Sequence, residues 1–418
     1  MTGQRVIVFG GGVVGVTTAY FLAADGHTVE LLERRSTLAP DASSGNAGLI
    51  APGHAITWAS PEAPRMLLRA MMGSDSVISL KRLDRELLAW GIRFLRECTA
   101  SKHHRNTLSK FHLSQYSQKV LDELVASEQL DYGKRSDGIL YIYRDRHEME
   151  KEYEAFEILR QHGQEMEMLD AADCVRHEPA LAGAKDRIAG AVFNPTDASG
   201  NCESFTNVLA RRCREMGVRI RMGTAVHRLE HDADRITGAV IDGGVLRADA
   251  YVVALGVDSR RLARTAGYRL PIYPAKGYSA TFPIREEHHP PVLSGIDAGP
   301  PLVGWANFGD SLRMASTAEF TGYGRDWTSS DFRGILQDAR DLFPDAADFS
   351  EGQYRACLRP MTPAGPPIIG RGRRHRNLLF NTGHGNMGWT MACGSARILA
   401  DIFAQRQTEI SLEHLGSA

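Results

Sequence analysis

Near the start of the chain, Gly10-Gly11-Gly12-Val13-Val14-Gly15 follows the apolar run Val6–Phe9 and precedes a helical pattern through Thr18, Phe21 and Leu22. Glycines at this spacing suit a bound pyrophosphate. The first permits a tight turn, the second lets the backbone approach the phosphates, and the third lets helix and strand pack closely. The phosphates then sit on unpaired N–H groups at the positive end of the helix. Asp25-Gly26 reads as the helix stop and Thr28–Leu32 as a second strand. At its end stands Glu33, 33 − 15 = 18 residues after the last glycine, placed to accept hydrogen bonds from ribose hydroxyls. A glycine motif alone is equally a tight turn beside a solvated glutamate. Strand, helix, strand and acid in this order predict a dinucleotide site, with Arg34, Val226 and Gly256 as further contacts.

Two other segments choose between dinucleotides. Ser43, Ser44, Asn46, Ala47 and Gly48, in the run Ser43-Ser-Gly-Asn-Ala-Gly48, offer hydroxyls, a side-chain amide and backbone N–H groups to a pyrophosphate and ribityl chain. Asn381-Thr-Gly-His-Gly-Asn-Met-Gly-Trp-Thr390 opens a final helix, where Gly383, Asn386, Met387, Gly388, Trp389 and Thr390 are expected to meet the cofactor. A helix N-terminus there would favour negative charge on a reduced flavin ring. Either loop alone is compatible with an ordinary turn. Together with the glycine motif they predict FAD rather than a nicotinamide.

Positioning such groups takes a large core, and 418 residues exceed what one small domain needs. From Leu80 to Glu128 the pattern is mostly helical, with Leu83, Leu87, Trp90 and Phe94 at core-facing spacing. Strand-like segments include Gly138–Tyr143, Arg219–Met222, Ala250–Leu255, Tyr278–Pro283 and Leu312–Thr317, and Ser204–Met216 and Ser330–Leu342 read as helices. Parallel-type units at the start, middle and end predict an α/β fold, α+β overall: a Rossmann-type FAD-binding domain carrying an inserted substrate domain built on an antiparallel sheet. The expected bounds are 1–80, 195–272 and 352–418 for the FAD-binding part, and 81–194 and 273–351 for the substrate part.

The wider composition narrows the function classes. Hydrophobic content of 43% and charged content of 24% are ordinary for a globular protein, and a net charge of −1 gives no electrostatic case for nucleic acid. Six scattered cysteines fit neither a disulfide framework nor a metal site, so reduced thiols in a cytoplasmic setting are expected. Neither a signal peptide nor a spanning segment is predicted. The cluster Arg371-Gly-Arg-Arg-His-Arg376 lies between two strands without interleaved aromatics and reads as a solvated hairpin turn. Pro64–Met72 is apolar with two arginines. It is either packed against the protein or a peripheral contact with the inner face of the membrane, near a quinone.

The blocks Val6–Tyr20, Ser43–Pro52, Tyr273-Pro-Ala-Lys-Gly-Tyr-Ser279, Leu358-Arg-Pro-Met-Thr-Pro363 and Asn381–Gly394 resemble the D-amino-acid oxidase superfamily, and within it the bacterial D-amino-acid dehydrogenases of the small-subunit type. The resemblance spans nearly the whole chain. It implies oxidative deamination of D-amino acids to 2-oxo acids and ammonia, with hydride passing from the α-carbon to flavin N5 and electrons to a quinone. A glycine- or sarcosine-type oxidase using oxygen, or the flavin subunit of a hydroxyproline or opine dehydrogenase, is the alternative. A homo-oligomer or a partner subunit is compatible with either.

Such chemistry needs no catalytic triad and no metal; the isoalloxazine is the reactive group, and the protein presents the substrate. Arg359, in the Leu-Arg-Pro-Met-Thr-Pro block, is expected to hold the substrate carboxylate through its planar fork. Tyr278 is a candidate second contact to that carboxylate, Lys276 a candidate neighbour of the flavin, and His54 a further pocket residue; neither His54 nor His384 receives a proton-transfer role. Three departures stand out. Asn386 occupies the place where related glycine oxidases carry a second arginine, His54 follows Gly53 where an aromatic is expected, and Ala315-Ser-Thr-Ala-Glu319 replaces a glycine-rich strand. They point toward bulkier or cyclic D-amino acids, a hydroxyproline included.

Overall fold

The computed structural model describes residues 3–71, 78–411, 413, 415 and 416. The first sheet has apolar, buried central strands and runs in the order Ile368–Arg371, Leu378–Thr382, Ala250–Val253, Arg5–Phe9, Thr28–Leu32 and Arg219–Arg221. All neighbours are parallel except the antiparallel hairpin of the first two. Val6–Phe9 and Ala250–Val253 are fully buried, as strands covered on both sides must be. On one face pack the helices Val13–Ala24, Cys202–Glu215 and Gly388–Phe403. On the other, Ile7, Phe9 and Val253 join Leu229, Ile236 and Ala239 of a three-stranded antiparallel layer.

The second sheet has nine strands and is mostly antiparallel. Its backbone is Gln353–Met361, Tyr273–Pro283, Ser311–Phe320, Val303–Asn307, Ser294–Asp297, Ile139–Tyr143, Gly190–Asn194 and Glu167–Asp170, with Ile78–Leu80 beside Ser311–Phe320. Two strands lie on the other side of the expected bounds. Gln353–Met361 pairs with Tyr273–Pro283 along its whole length, from Tyr273↔Met361 to Thr281↔Gln353, so the chain leaves this sheet only after Met361. Ile78–Leu80 likewise pairs into it through Ala318–Phe320.

One long helix, Ala100–Glu128, joins the two parts. It packs on the final helix, where the Gly394 N–H donates to Ser117 Oγ at 3.0 Å. A Cβ at Gly394 would stand 2.8 Å from the Ser117 backbone, so the close crossing requires glycine. The preceding helix, Arg85–Glu97, buries Leu87, Trp90 and Phe94 at the expected spacing. Leu83 departs from that expectation: it precedes the helix and is 65% exposed.

Candidate active site

The glycine turn forms as its residue types require. Gly10 has φ +113° and a Cβ there would lie 2.4 Å from the Ala254 carbonyl oxygen; at Gly15 it would lie 1.8 Å from the Gly10 carbonyl oxygen. Both glycines are therefore demanded by the chain's own packing. Gly12 is different: its φ is −77°, and the one neighbour its Cβ would meet is the Ser43 hydroxyl at 3.1 Å. The open space beside Gly12 fits a group brought from outside. No side chain caps the helix at Gly12, and the Val13 N–H donates to Ser43 Oγ at 3.0 Å. The Glu33 carboxylate is buried and held in place by N–H donors from Gly11 and Arg35, each at 2.8 Å. Arg34 bridges Asp258 at 2.8 Å and Asp41 at 3.6 Å, beside Gly256 at φ +55°. The Thr224 N–H donates to the Glu33 carbonyl at 2.8 Å, which brings the segment leading into Val226 to the same rim.

The serine-glycine loop is rigid in itself. Asn46 donates to the Ser43 carbonyl at 2.6 Å and accepts from the Gly48 N–H at 2.7 Å, while Ser44 Oγ donates to the Asp41 carbonyl at 3.1 Å. Gly48 has φ +83° and its α-carbon faces the Phe308 ring, where a Cβ would come within 2.7 Å. Arg313, buried in the second sheet, donates to the Ser44 carbonyl and to Thr281 Oγ1, tying loop to sheet. At the other loop, Gly383 and Gly385 take positive φ, and the helix Gly388–Phe403 begins without a side-chain cap. Thr390 Oγ1 accepts from the Ala51 N–H at 3.2 Å. Met387 and Trp389 are core residues, the indole packing on Tyr132 and Phe205. An uncapped helix end, an open space at Gly12, an oriented acid and a second uncapped helix end together fit FAD. Gly10–Gly15, Glu33, Ser43–Gly48 and the start of the final helix are the groups that would hold it.

Beyond the loop, distant segments converge on a cleft. Arg359 and Ala275 are cross-strand partners, and a Cβ at Gly277 would stand 2.6 Å from the Arg359 guanidinium, so Gly277 is the floor under that side chain. Arg359 and His54 are half-buried and closely surrounded by protein. Burial lowers the Arg359 pKa. Burial, and then the charges of Lys110 and Arg359, push His54 down to about 4, so its ring is neutral at physiological pH. The ring stacks on Tyr141 with centroids 6.0 Å apart. Its turn, Pro52–His54, is fixed by Asp197, which accepts from the Gly53 N–H at 3.1 Å, from Gln164 at 3.2 Å and from Asn194 at 3.3 Å. Burial raises the Asp197 carboxyl to about 7.

Comparison with known proteins agrees with this geometry. The sequence matches the DAO family, described as FAD dependent oxidoreductase, over residues 5–402. The chain belongs to that family. It is 41% identical over 414 residues to the D-amino acid dehydrogenase 2 of Mesorhizobium japonicum, covering 99% of each chain. It is 40% identical to the D-amino acid dehydrogenase of Methylobacterium radiotolerans, covering 99% of this chain and 98% of that one. Among solved structures, glycine oxidase from Bacillus cereus superposes with a TM-score of 0.73 at 21% identity, covering 97% and 96% of the two chains. Iminodiacetate oxidase from Chelativorans sp. BNC1 does so with a TM-score of 0.74 at 19% identity, over 99% of both. These two share the fold.

In this FAD dependent oxidoreductase, two of the expected substrate-side residues are not brought to the cleft. Along Tyr273–Pro283 the positions sharing a face with Arg359 are Ala275 and Gly277; Lys276 and Tyr278 point the other way because side chains alternate. The Tyr278 hydroxyl donates to Glu319 at 2.7 Å and its ring packs on Phe332. Lys276 donates to the Asp326 carbonyl with its ammonium 5.3 Å from the Tyr278 ring centre. His384 is buried against Ser395 Oγ at 2.9 Å, and burial lowers its pKa to about 3. Sequence reading missed Asp197, Arg313 and Lys110. For Lys110 no sequence signal existed: the residues sharing its helix face, Thr107 and Ser114, are polar, and the burial of all three is a tertiary outcome.

Proposed function

We propose that this chain oxidises D-amino acids to 2-oxo acids and ammonia. The observation that carries the reading is Arg359, a guanidinium enclosed by protein on the sheet face that meets the FAD-holding loop. The Cys357 thiol, two residues along on that face, donates to the Gly45 carbonyl at 3.7 Å. Bound FAD supplies the two-electron acceptor. Arg359 holds the α-carboxylate in a bidentate grip, which fixes the α-carbon relative to the loop Ser43–Gly48. His54, uncharged, accepts a hydrogen bond from the substrate amine without repelling it. Asp197 positions His54 through the Gly53 N–H. The relatives at about 40% identity bear the name D-amino acid dehydrogenase, which favours this reading over an oxygen-using amine oxidase. Anaerobic mixing of flavin-loaded protein with paired D- and L-amino acids tests it. Bleaching of the visible flavin band by D-forms alone is expected, and bleaching by no amino acid would sink the reading.

Electrons pass to a quinone at a membrane surface in the same proposal. The helices Ala63–Met71 and Arg85–Glu97 pack on one apolar cluster with Ala63, Leu67, Leu87, Trp90 and Phe94. They turn Met66, Leu68, Leu88, Ile92 and Leu95 outward, all 39% exposed or more. Exposed Arg65, Arg93 and Arg96 stand among them. An apolar stripe flanked by arginines matches an anionic lipid surface. Met72, at the end of this stretch, lies outside the described residues, among which no helix is long and apolar enough to cross a membrane. Co-flotation with vesicles containing anionic lipid, abolished in Leu88→Glu/Ile92→Glu, is the expected result; failure to float at low salt refutes the contact.

A further inference from the structure

Lys110 projects from the long helix Ala100–Glu128 and is 3% exposed. It lines a small cavity with Trp58, Trp90, Phe94, Met361 and Asn386. The strand that carries Arg359 also lines this cavity, through Met361 two residues beyond Arg359 on the same face. The Lys110 stem is fixed beneath Gly365, where a Cβ would come within 3.3 Å of its Cδ. Among the described residues no acidic side chain pairs with its ammonium, and burial alone lowers its pKa, to about 8. A buried cation without an acidic neighbour is costly, and a site tolerates it where a ligand supplies the anion.

Arg359 already takes the α-carboxylate in the function proposed above, so the anion for Lys110 is sought elsewhere on the substrate. The two cations come from different elements: Arg359 from the strand Gln353–Met361, and Lys110 from the helix Ala100–Glu128, which packs on the turn Pro52–His54. Aromatic and aliphatic walls surround the Lys110 end.

We propose that Lys110 is a specificity-determining residue that receives a side-chain carboxylate, so that the chain prefers acidic D-amino acids of the glutamate and aspartate class. The walls formed by Trp58, Trp90 and Phe94 cover the methylenes, and Asn386 at the same cavity offers an uncharged amide to the carboxylate. This inference rests on the D-amino-acid reading above, and it replaces the cyclic or merely bulky side chain expected from the sequence.

The test compares kcat/KM for D-glutamate, D-glutamine and D-alanine with an artificial dye as acceptor, in flavin-loaded wild type, Lys110→Met and Lys110→Arg. Wild type is expected to prefer D-glutamate to its neutral isostere D-glutamine by roughly 100-fold. Lys110→Met is expected to collapse that ratio, with a much larger loss for D-glutamate than for D-alanine; Lys110→Arg keeps part of the ratio. Each ratio is internal to one protein, so partial unfolding cancels, and the wild-type ratio decides alone if a variant fails to load FAD. No wild-type preference for D-glutamate overturns the proposal. An equal loss for D-alanine and D-glutamate in Lys110→Met also overturns it, by placing Lys110 at the α-carboxylate. Activity with neutral D-amino acids but none of this selectivity removes this inference alone, whereas inactivity with every D-amino acid removes the function and the inference together.

Discussion

The FAD cradle and the substrate cleft are built by opposite strategies. The cradle is mostly backbone from short stretches of chain: a glycine turn, an oriented acid, a loop satisfied by its own Asn46, and helix ends without side-chain caps. The cleft is side chains from segments far apart in sequence, His54, Lys110, Asp197 and Arg359, converging under dense protein. The cradle binds a constant ligand, so local geometry suffices. The cleft must discriminate, and charges held out of water there interact most strongly.

The sharpest break in that comparison comes from the turn. Gly15→Ala puts a methyl 1.8 Å from a carbonyl oxygen, so no FAD-loaded protein is expected, read as loss of visible absorbance on purification. Arg359→Met should leave flavin loading intact yet lower kcat/KM for D-amino acids on the order of 10³-fold. Loss of flavin in Arg359→Met would show that the two regions are not separable.

Smaller effects sharpen the division. Asp197→Asn keeps size while removing the carboxylate that orients Gly53, and roughly a 10-fold loss in kcat/KM is expected. Because Asp197 ionises near 7, wild-type activity should also carry a rise through that pH that Asp197→Asn lacks. Least in size is an effect on stability. His384 has a folded pKa of about 3, below the roughly 6.5 of the unfolded chain, so the unfolded state takes up the proton first as pH falls. The stability contributed by neutral His384 is complete above about 6.5 and declines toward the folded value. Melting temperature should therefore drop on acidification, and less steeply in His384→Gln.

Much of the cradle was legible because its signals are local. Gly10–Gly15 and Glu33 lie within one strand–helix–strand unit, and the distance between them along the chain sets their distance in space. Arg359 was reachable through its proline-flanked block. Tyr278 and Lys276 were assigned to the wrong face: a strand pattern shows that side chains alternate, but which parity meets the cleft depends on pairing with Gln353–Met361. Leu83 failed for a related reason, since it fits the helical spacing yet precedes the helix at Arg85.

By itself the sequence determined the dinucleotide turn, the acid expected at the ribose, the FAD-type loops and the presence of two interleaved sheets. These follow from residue type and short spacing, where backbone sterics leave few conformations. Only the tertiary structure decided which strand face Arg359 shares, that Asp197 steadies the His54 turn, and that Lys110 is buried without pairing to any described acid. Those outcomes depend on long-range packing, which sets the desolvation and neighbouring charge felt by each group.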